Sequence, residues 1–394
     1  MTRPPKLFLV AAEESGDVLG AALVSALREL RPDISFAGVG GRHMAANGLA
    51  SLFPVEELTI LGIGAIVPKL PVILRRIRET ADAVAAAKPD ALIIIDSPDF
   101  THRVARRVRK LAPDIPIINY APPSVWAWRP WRARAMRRYV DEVLAILPFE
   151  PAAFAELNGP HCSYVGHPLA EDVGALRPGA SDKRRNDDPP VLLVLPGSRR
   201  SEIHRLAGIF GATIARVAER SGPIEMVLPT LPHILEQVTA ATAKWPVRPR
   251  IVVGVEEKHA AFRAARAALA ASGTVTLELG LAQVPMVAAY RVVPWEGLLF
   301  RLLTRLKTVI LANLVLGENV VPEFLQRDCT PDRLAAALVP LLRDTPERRR
   351  QLEAFARLER IMDLSAEPPS VRAARAVLAV IEGKSALPSP TGSC

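Results

Sequence analysis

The sequence predicts an α/β fold built from two Rossmann-like, doubly wound domains that face each other across a cleft. Short aliphatic runs of strand length alternate with longer helical segments. This alternation stops at a polar, proline-containing stretch and then starts again. A chain of 394 residues is also too long for one ordinary core. Ligands of such sheets bind beyond the carboxyl ends of the strands, so the chemistry is expected there.

The first half contains five predicted strands, with helical segments such as GDVLGAALVSALREL and HRVARRVRKLA between them. In chain order the strands are KLFLVAA, ISFAGVGG, ALIIID, IPIINYA and EVLAILP. Their near-continuous Val, Ile and Leu content is typical of parallel strands buried on both faces. We expect the first domain to cover residues 1–170.

The second half repeats the pattern after a polar segment, 171–190, which we interpret as a linker. Its predicted strands are VLLVLPGS, IEMVLPT, RIVVGV, ALAASGT and VPMVAAY. The second domain is expected at 191–346. Charged helices at 347–382 are expected to pack back on the first domain or on a partner subunit, and residues 383–394 to form a flexible tail.

The composition favours a cytosolic protein. The apolar run near the start is too short for a signal peptide and is followed at once by acidic residues, which favours a buried strand. No apolar segment approaches the roughly 20 residues of a spanning helix. Three cysteines without pairing or metal spacing, and the absence of HxxxH or CxxC, predict a reducing compartment and no metal site.

The net charge of +9 is concentrated in one segment. Residues 100–138 contain ten Lys or Arg and one acid. Such a patch suits a polyanion or an anionic membrane surface, and the alternative is a solvated helix face. Two apolar stretches that contain arginines, 60–78 and 295–311, fit a membrane interface or ordinary packing.

The first predicted strand ends in AAEESGD, where a helix begins. Ser15 and Gly16 would let a ligand approach the helix N-terminus, and Glu13 is placed to bind a sugar hydroxyl. The alternative is plain capping of the helix by Ser15 or Asp17.

A carboxylate follows the strand ALIIID in the sequence DSPDF. Asp96 at a strand end is a candidate general base, and Asp99 is the rival candidate. Either residue could instead cap the following helix.

The stretch YAPPSVWAWRPW holds three of the chain's five tryptophans. It follows the strand IPIINYA, so we interpret it as a stiff loop at the ligand-binding edge. Ser124, Trp126 and Arg129 are its candidate binding residues, with the alternative that one or two tryptophans belong to the core.

Two loops of the second half fit a diphosphate. Ser198 and Arg199 lie between a strand and a helix, and Ser272, Gly273 and Thr274 do the same farther along the chain. Glu278 lies one turn after Thr274, where it could bind both ribose hydroxyls. The alternative is a capped helix with a surface glutamate.

A last polar group, Asn313, Glu323 and Gln326, offers donors and acceptors to a sugar or a base edge. Taken alone, this stretch is a boundary between a loop and a helix.

These motifs together resemble the lipid-A-disaccharide synthase family. The resemblance covers residues 7–330 in order, and its most specific part is PSVWAWR. The other matching motifs are AAEESGD, GVGG, IDSPDF, LPFE, YVGHPL, LPGSR, SGTVTLE and VPEFLQ.

The resemblance implies a GT-B-type glycosyltransferase on the inner face of the inner membrane of Gram-negative bacteria. It implies transfer of 2,3-diacylglucosamine from UDP to the 6-hydroxyl of 2,3-diacylglucosamine 1-phosphate (lipid X), without a cofactor or metal. Asp96 would be the catalytic base. Arg199 and the Ser272–Thr274 turn would hold the diphosphate, Glu278 the ribose, and Asn313 would match the family's PNLL motif. A homodimer is left open.

The sequence departs from the family pattern at Ala12, where glycine is usual, and at Ala312, where proline is usual. Other GT-B enzymes, a glycosyltransferase acting on a lipid-linked muramyl acceptor or a UDP-sugar epimerase, would share the SG…E turn but lack PSVWAWR. A nucleic-acid-binding protein would use the basic segment but leave both phosphate loops unexplained. We therefore expect no nucleic-acid partner.

Overall fold

The structure, a computed structural model, describes residues 3–58, 66–179, 182–292, 308–364 and 367–383. The chain divides into two compact units, Met1–Pro168 with Ala366–Cys394, and Leu169–Ser365. Each unit contains a six-stranded sheet in which all neighbouring strands are parallel. The predicted α/β fold with two parallel sheets is therefore confirmed.

The sheet of the first unit has the strand order β2-β1-β3-β4-β5-β6. Its strands are β1 (Lys6–Ala11), β2 (Ser35–Val39), β3 (Ala91–Ile95), β4 (Ile117–Tyr120), β5 (Glu142–Ala145) and β6 (His161–Tyr164). Its helices before residue 168 are α1 (Glu14–Leu30), α2 (Arg42–Ala46), α3 (Ile66–Ala87), α4 (Pro98–Leu111), α5 (Trp131–Met136) and α6 (Glu150–Glu156).

Alternate residues of the central strands pack into two apolar layers, one on each face of the sheet. In β1, Phe8 and Val10 belong to the layer that includes Val104 of α4, whereas Leu7 and Leu9 belong to the other layer. That second layer also contains Leu23 of α1. Burial on both faces explains why these strands are almost entirely aliphatic in sequence.

The sheet of the second unit has the order β12-β11-β10-β7-β8-β9. Its strands are β7 (Val191–Leu195), β8 (Glu225–Thr230), β9 (Arg250–Val253), β10 (Ala265–Ala271), β11 (Met286–Tyr290) and β12 (Glu323–Leu325). Its helices are α7 (Leu169–Leu176), α8 (Arg200–Ser221), α9 (Leu235–Thr242), α10 (Val255–Ala264), α11 (Thr274–Leu281), α12 (Leu311–Leu316), α13 (Pro331–Leu338) and α14 (Pro346–Ile361).

The segment 171–190, which we expected to be a linker, begins within α7 and packs against the second unit. Its Arg185 is buried, and the guanidinium donates to the carbonyls of Phe262, Arg263, Ala282 and Gln283. These carbonyls belong to the ends of α10 and α11, where backbone acceptors lack helical partners. A cation at helix C-termini also compensates the helix dipoles.

The region 347–382 separates into two parts. Helix α14 belongs to the second unit, where the Gln351 side chain bonds both the N–H and the carbonyl of Met286 at 2.8 and 3.0 Å. The last helix, α15 (Pro369–Ile381), belongs to the first unit and packs on α1. Arg372 of α15 donates to the carbonyl of Tyr164 at 3.2 Å.

Several membrane-related expectations fall on parts of the chain outside the described residues. The amphipathic segment 295–311 lies there up to residue 307, as do residues 60–65 of the other apolar stretch. Of the tail expected at 383–394, only residue 383 is described. None of the helices in the described ranges has the length and apolar character needed to cross a membrane.

Candidate active site

The strand orders create one topological switch point in each unit. In the first sheet β1 lies between β2 and β3, so the connections after β1 and β3 leave on opposite sides. In the second sheet the same relation holds for β7 and β10. The candidate residues after these four strands therefore lie at the positions where open α/β sheets bind ligands.

Ser15 and Asp96 meet at the first switch point. The Ser15 hydroxyl donates to Oδ2 of Asp96 at 2.6 Å, and the backbone N–H of Ser97 donates to Oδ1 at 2.8 Å. Ser15 is exposed and Asp96 is half-buried. The carboxylate is thus fixed by two donors and still reachable from solvent, as a proton acceptor must be.

The turn that carries Asp96 is conformationally strained. Asp96 and Ser97 both have left-handed backbones, with φ of 50° and 46°. Thr101 holds this turn, because its hydroxyl bonds the carbonyls of Asp96 and Ser97 at 2.7 and 3.0 Å. Strain of this kind persists only where surrounding contacts enforce it, and it is frequent at functional sites.

The other residues of the AAEESGD motif differ in their exposure and in their contacts. Glu13 occupies the N-cap position of α1. Its side chain is exposed and forms no capping hydrogen bond. Gly16 is buried, and a Cβ there would lie 3.2 Å from the carbonyl of Ile95, so glycine lets α1 approach the end of β3. The capping alternative for Ser15 and Asp17 is wrong: the Asp17 carboxylate bonds the N–H groups of Gly41, His43 and Met44, at the start of α2.

The rival carboxylate, Asp99, has a different environment. Its side chain is 88% exposed, and it forms one ion pair, at 3.5 Å, with Arg132. Neither it nor Asp96 caps α4 through a side-chain hydrogen bond. The geometry therefore favours Asp96 as the candidate base.

The aromatic loop leaves the carboxyl end of β4, the strand beside β3. Ser124 is exposed and its carbonyl closes a turn with the N–H groups of Ala127 and Trp128. Arg129 has a left-handed backbone, φ 54°, and its guanidinium lies over the Trp128 ring at 5.1 Å. The loop thus presents a hydroxyl and a cation on the same edge of the sheet as Asp96.

Trp126 is anchored by the LPFE motif. Its indole N–H donates to Oε1 of Glu150 at 3.1 Å, and its ring meets Phe149 edge-on at 5.0 Å. Oε2 of Glu150 accepts from the N–H groups of Ile146 and Leu147. Burial raises the pKa of Glu150 to about 7 even though these three donors oppose the shift. Trp126 is therefore partly buried, and its contacts with Glu150 and Phe149 hold the loop in position.

In the first loop of the second unit that we expected to bind a diphosphate, a side chain of the same unit occupies the backbone donors. Oε2 of Glu202 accepts from the N–H groups of Ser198 and Arg199 at 3.1 and 3.3 Å. Gly197 has φ 117°, and a Cβ there would collide with Glu202. The Arg199 guanidinium also pairs with Oε1 of Glu202 at 3.1 Å, but its side chain is 76% exposed. Because the carboxylate occupies the backbone donors, the loop offers a ligand the Ser198 hydroxyl and the outward N–H groups of Arg199.

The second loop is open. Gly273, the N-cap of α11, has φ 153°, and apart from its two chain neighbours no described residue has an atom within 4 Å of the point that a Cβ would occupy. Within the part of the chain that the structure describes, no side-chain hydrogen bond caps this helix end. The turn of Ser272, Gly273 and Thr274 therefore leaves backbone N–H groups of α11 accessible to an anion.

Glu278 is not the surface glutamate of the alternative interpretation. Its residue is 7% exposed, and its carboxylate forms an ion pair with Lys258 of α10. Lys258 also lies over the Phe262 ring at 5.5 Å. A fixed carboxylate one turn below the open Ser272–Thr274 loop suits the hydroxyls of a ribose.

Ser272 and Glu323 converge on one residue, Val309. The Ser272 hydroxyl donates to its carbonyl at 3.0 Å, and Oε1 of Glu323 accepts from its N–H at 3.0 Å. Burial raises the pKa of Glu323 above its ordinary value. These bonds join the loop after β10 to the edge strand β12.

Asn313 and Gln326 brace the same region. Asn313 is 1% exposed; its Oδ1 accepts from Val320 and Val321, and its Nδ2 donates to Val321 and Thr308. This uses the amide's full capacity, so its side chain positions the loop rather than offering free groups. Gln326 accepts from the N–H of Val292 at 3.3 Å.

No group of three or more His, Cys, Asp or Glu side chains within the described part of the chain has a metal-binding arrangement.

Comparison with known proteins identifies the family. Residues 7–375 match the family model described as Lipid-A-disaccharide synthetase. The chain belongs to the lipid-A-disaccharide synthase family. A lipid-A-disaccharide synthase of Rhodopseudomonas palustris (strain HaA2) is 61% identical over 95% of this chain and 96% of its own length. That of Nitrobacter hamburgensis is 60% identical over 95% of both.

Solved structures similar to this member of the lipid-A-disaccharide synthase family confirm the GT-B fold. MurG of Acinetobacter baumannii has a TM-score of 0.59 at 16% identity, covering 96% of this chain and 100% of that one. UDP-GlcNAc 2-epimerase of Neisseria meningitidis, solved with UDP-GlcNAc, has a TM-score of 0.58 at 12% identity, covering 96% and 100%. At these identities the likeness concerns the fold alone.

Sequence reasoning missed three residues that organise the candidate site of this family member. Glu202 follows Arg199 by three positions, which is the spacing of a capping box and could have revealed it. Glu150 lies in the LPFE motif, but nothing local links it to Trp126. Lys258 is on α10 and Glu278 is on α11, so their ion pair forms only in the folded unit.

Proposed function

We propose that this chain is an inverting, UDP-sugar-dependent glycosyltransferase with the activity of a lipid-A-disaccharide synthase. It transfers 2,3-diacylglucosamine from UDP-2,3-diacylglucosamine to the 6-hydroxyl of lipid X, and releases UDP and the β-1,6-linked disaccharide 1-phosphate. Membership of the family over nearly the whole chain supports this reaction. The single structural observation that carries the mechanism is the hydrogen bond from Ser15 to Asp96.

In this mechanism Asp96 is the general base. Its carboxylate takes the proton of the acceptor 6-hydroxyl while that oxygen forms a bond to C1 of the donor sugar. The bond from C1 to the diphosphate oxygen breaks, and UDP leaves with the electron pair. Ser15 and the N–H of Ser97 orient the carboxylate. Positioned bases of this kind contribute roughly 10²–10⁴ in rate.

The second unit is proposed to hold UDP. The open Ser272–Thr274 turn and the Arg199 guanidinium would stabilise the charge that develops on the leaving diphosphate. The ion-paired Glu278 would accept the ribose hydroxyls, while Asn313, Glu323 and Gln326 keep the loop in place. Glu13, Ser124 and Arg129 are proposed to contact the acceptor.

We also propose that the protein works as a peripheral protein at the cytoplasmic face of the inner membrane. Trp131 is 64% exposed, and together with Arg134, Arg137 and Arg138 it lines an open cavity of about 540 Å³. Exposed Trp with arginines fits the headgroup region, where each basic residue near an anionic surface contributes about 1 kcal/mol. A homodimer stays a prediction.

The test is a reaction of the purified chain with UDP-2,3-diacylglucosamine and lipid X, followed by UDP release and by mass spectrometry of the product. We expect UDP and the tetraacyl disaccharide phosphate in equal amounts. Release of UDP only with a lipid-linked muramyl acceptor, or interconversion of a UDP-sugar without UDP release, would contradict the proposal. The second outcome would indicate an epimerase.

A further inference from the structure

A small basic cavity lies in the first unit, between the first turns of α4 and the helix α5. Its volume is about 110 Å³, and one of the residues that line it is Pro98, which follows Asp96 by two positions. Cavities that enclose a whole drug-sized ligand measure about 300–1,000 Å³. This cavity therefore fits one small group of a larger ligand.

Three guanidinium groups line the cavity, those of Arg103, Arg106 and Arg132, against one carboxylate, that of Asp99. The carboxylate compensates little, because Asp99 is almost fully exposed and pairs with Arg132 at 3.5 Å. Arg103 forms no hydrogen bond or ion pair with any residue in the described ranges, and its side chain is exposed. The lining is therefore positive and has unused donors.

Three of the side chains that line the cavity contact one another. Arg106 donates to the Tyr139 hydroxyl at 3.2 Å and lies over its ring at 4.9 Å. The same hydroxyl is 3.1 Å from Nδ1 of His102, and both His102 and Tyr139 are buried. Burial, and then the charges of Arg106 and Arg132, lower the pKa of His102 to about 4, so this imidazole is neutral at pH 7 and adds no charge.

We propose that Arg103, Arg106 and Arg132 form a subsite for a phosphate monoester, which takes the 1-phosphate of the acceptor sugar. Guanidinium groups match the oxygens of a phosphate through paired N–H donors. The subsite follows the candidate base in the chain, at the same edge of the sheet. This proposal rests on the proposed function, since it takes lipid X as the acceptor.

Arg103→Ala is the decisive variant, because Arg103 has no described bond whose loss would disturb the fold. Lys110→Ala is the matched control: Lys110 is an exposed cation of the same helix that does not line the cavity. The kinetics use two acceptors in detergent, lipid X and 2,3-diacylglucosamine without the phosphate.

We expect Arg103→Ala to raise the KM for lipid X about 10-fold, the loss of one hydrogen bond to a charged group. The KM for the acceptor without phosphate, the KM for the UDP-sugar and kcat should stay as in the unmodified protein and in Lys110→Ala. Arg132→Ala should behave like Arg103→Ala. An equal rise in KM for both acceptors, or no rise in either variant, would overturn the subsite.

The phosphate that binds in the cavity could also belong to a membrane phospholipid instead of the acceptor sugar. Sedimentation with phosphatidylglycerol vesicles distinguishes these two ligands. We expect Arg103→Ala to bind the vesicles as Lys110→Ala does. Weaker vesicle binding by Arg103→Ala alone, with an unchanged KM for lipid X, would assign the cavity to lipid headgroups and overturn the proposal.

Ligand-observed NMR with glucosamine 1-phosphate and glucosamine keeps the subsite testable if the proposed function fails. If the unmodified chain forms no disaccharide, binding of glucosamine 1-phosphate that is lost in Arg103→Ala but kept in Lys110→Ala would still support the subsite. Equal binding of both sugars, or of neither, would then overturn it together with the proposed function.

Discussion

The Ser15 hydroxyl donates a 2.6 Å hydrogen bond to Oδ2 of Asp96, although 81 residues separate them in the chain. The bond joins the first turn of α1, which follows β1, to the residue that follows β3, and these two strands are neighbours at the switch point of the first sheet. It holds in place the carboxylate that we propose as the base.

Ser15→Ala should therefore impair catalysis without impairing nucleotide binding. Loss of a hydrogen bond to a charged group predicts a fall in kcat of about 10-fold. The matched control is Glu14→Gln. Glu14 is on the same helical turn as Ser15, and the substitution weakens only its exposed ion pair with Arg42. Steady-state kinetics and UDP titration of both variants check this, and a Ser15→Ala enzyme with the kcat of the control would contradict it.

Arg199→Ala should weaken UDP binding by about 10-fold, because a charge-assisted bond to the diphosphate is lost. Arg200→Ala removes the adjacent exposed arginine and is the control. Calorimetric titration with UDP measures both. Equal affinities of the two variants would show that Arg199 does not contact the diphosphate.

Gly197→Ala should destabilise the second unit by roughly 1–3 kcal/mol, because φ is 117° and the new methyl group collides with Glu202. Gly208→Ala, in the exposed middle of α8 with open space around its Cβ, should instead stabilise it by about 1 kcal/mol. Urea unfolding of the full chain distinguishes the two. A Gly197→Ala protein as stable as the parent would contradict this, and would mean that Glu202 can move away from the N–H groups of Ser198 and Arg199 without loss of stability.

Glu150 should make stability depend on pH. Its pKa is about 7 in the folded protein against 4.5 for an ordinary glutamate, so the folded state retains a proton that the unfolded state loses between these values. The stabilisation is complete below pH 4.5 and falls by about 3 kcal/mol as the pH rises to about 7. Above that pH both states are ionised and the effect is constant.

Glu150→Gln isolates this effect, since glutamine does not titrate while the other titrating groups, His102 and His167 among them, are the same in both proteins. The unfolding free energy of the parent minus that of the variant should fall as the pH rises from 5 to 8, because only the parent loses stability by ionisation at this position. A difference that is constant across this range would show that Glu150 is ionised in the folded protein throughout.

The sheets could be predicted from the sequence except at two edges. The predicted strands at the centre of each sheet, such as β3 and β7, are aliphatic because they are buried on both faces. The unpredicted strands, β6 with sequence HCSY and β12 with sequence EFL, are short edge strands with polar side chains. Their pairing depends on neighbours that are distant in the chain, so no local periodicity reveals them.

The candidate site was predictable as a set of strand ends, but not in its internal contacts. That Glu202 occupies the N–H groups of Ser198 and Arg199, and that Asn313 uses its whole amide on backbone, are consequences of side-chain packing. Likewise, Trp126 stood out as an aromatic residue beside an arginine, whereas its partner Glu150 is known only from the fold.

The central claim is that Asp96 is the base, and the most direct test measures turnover and UDP affinity together on Asp96→Asn. The substitution keeps the size of the side chain and removes its capacity to take a proton. We predict that disaccharide formation falls by roughly 10²–10⁴ while the dissociation constant for UDP is unchanged. Turnover close to that of the parent, or a collapse of UDP affinity with the fold intact, would contradict the account.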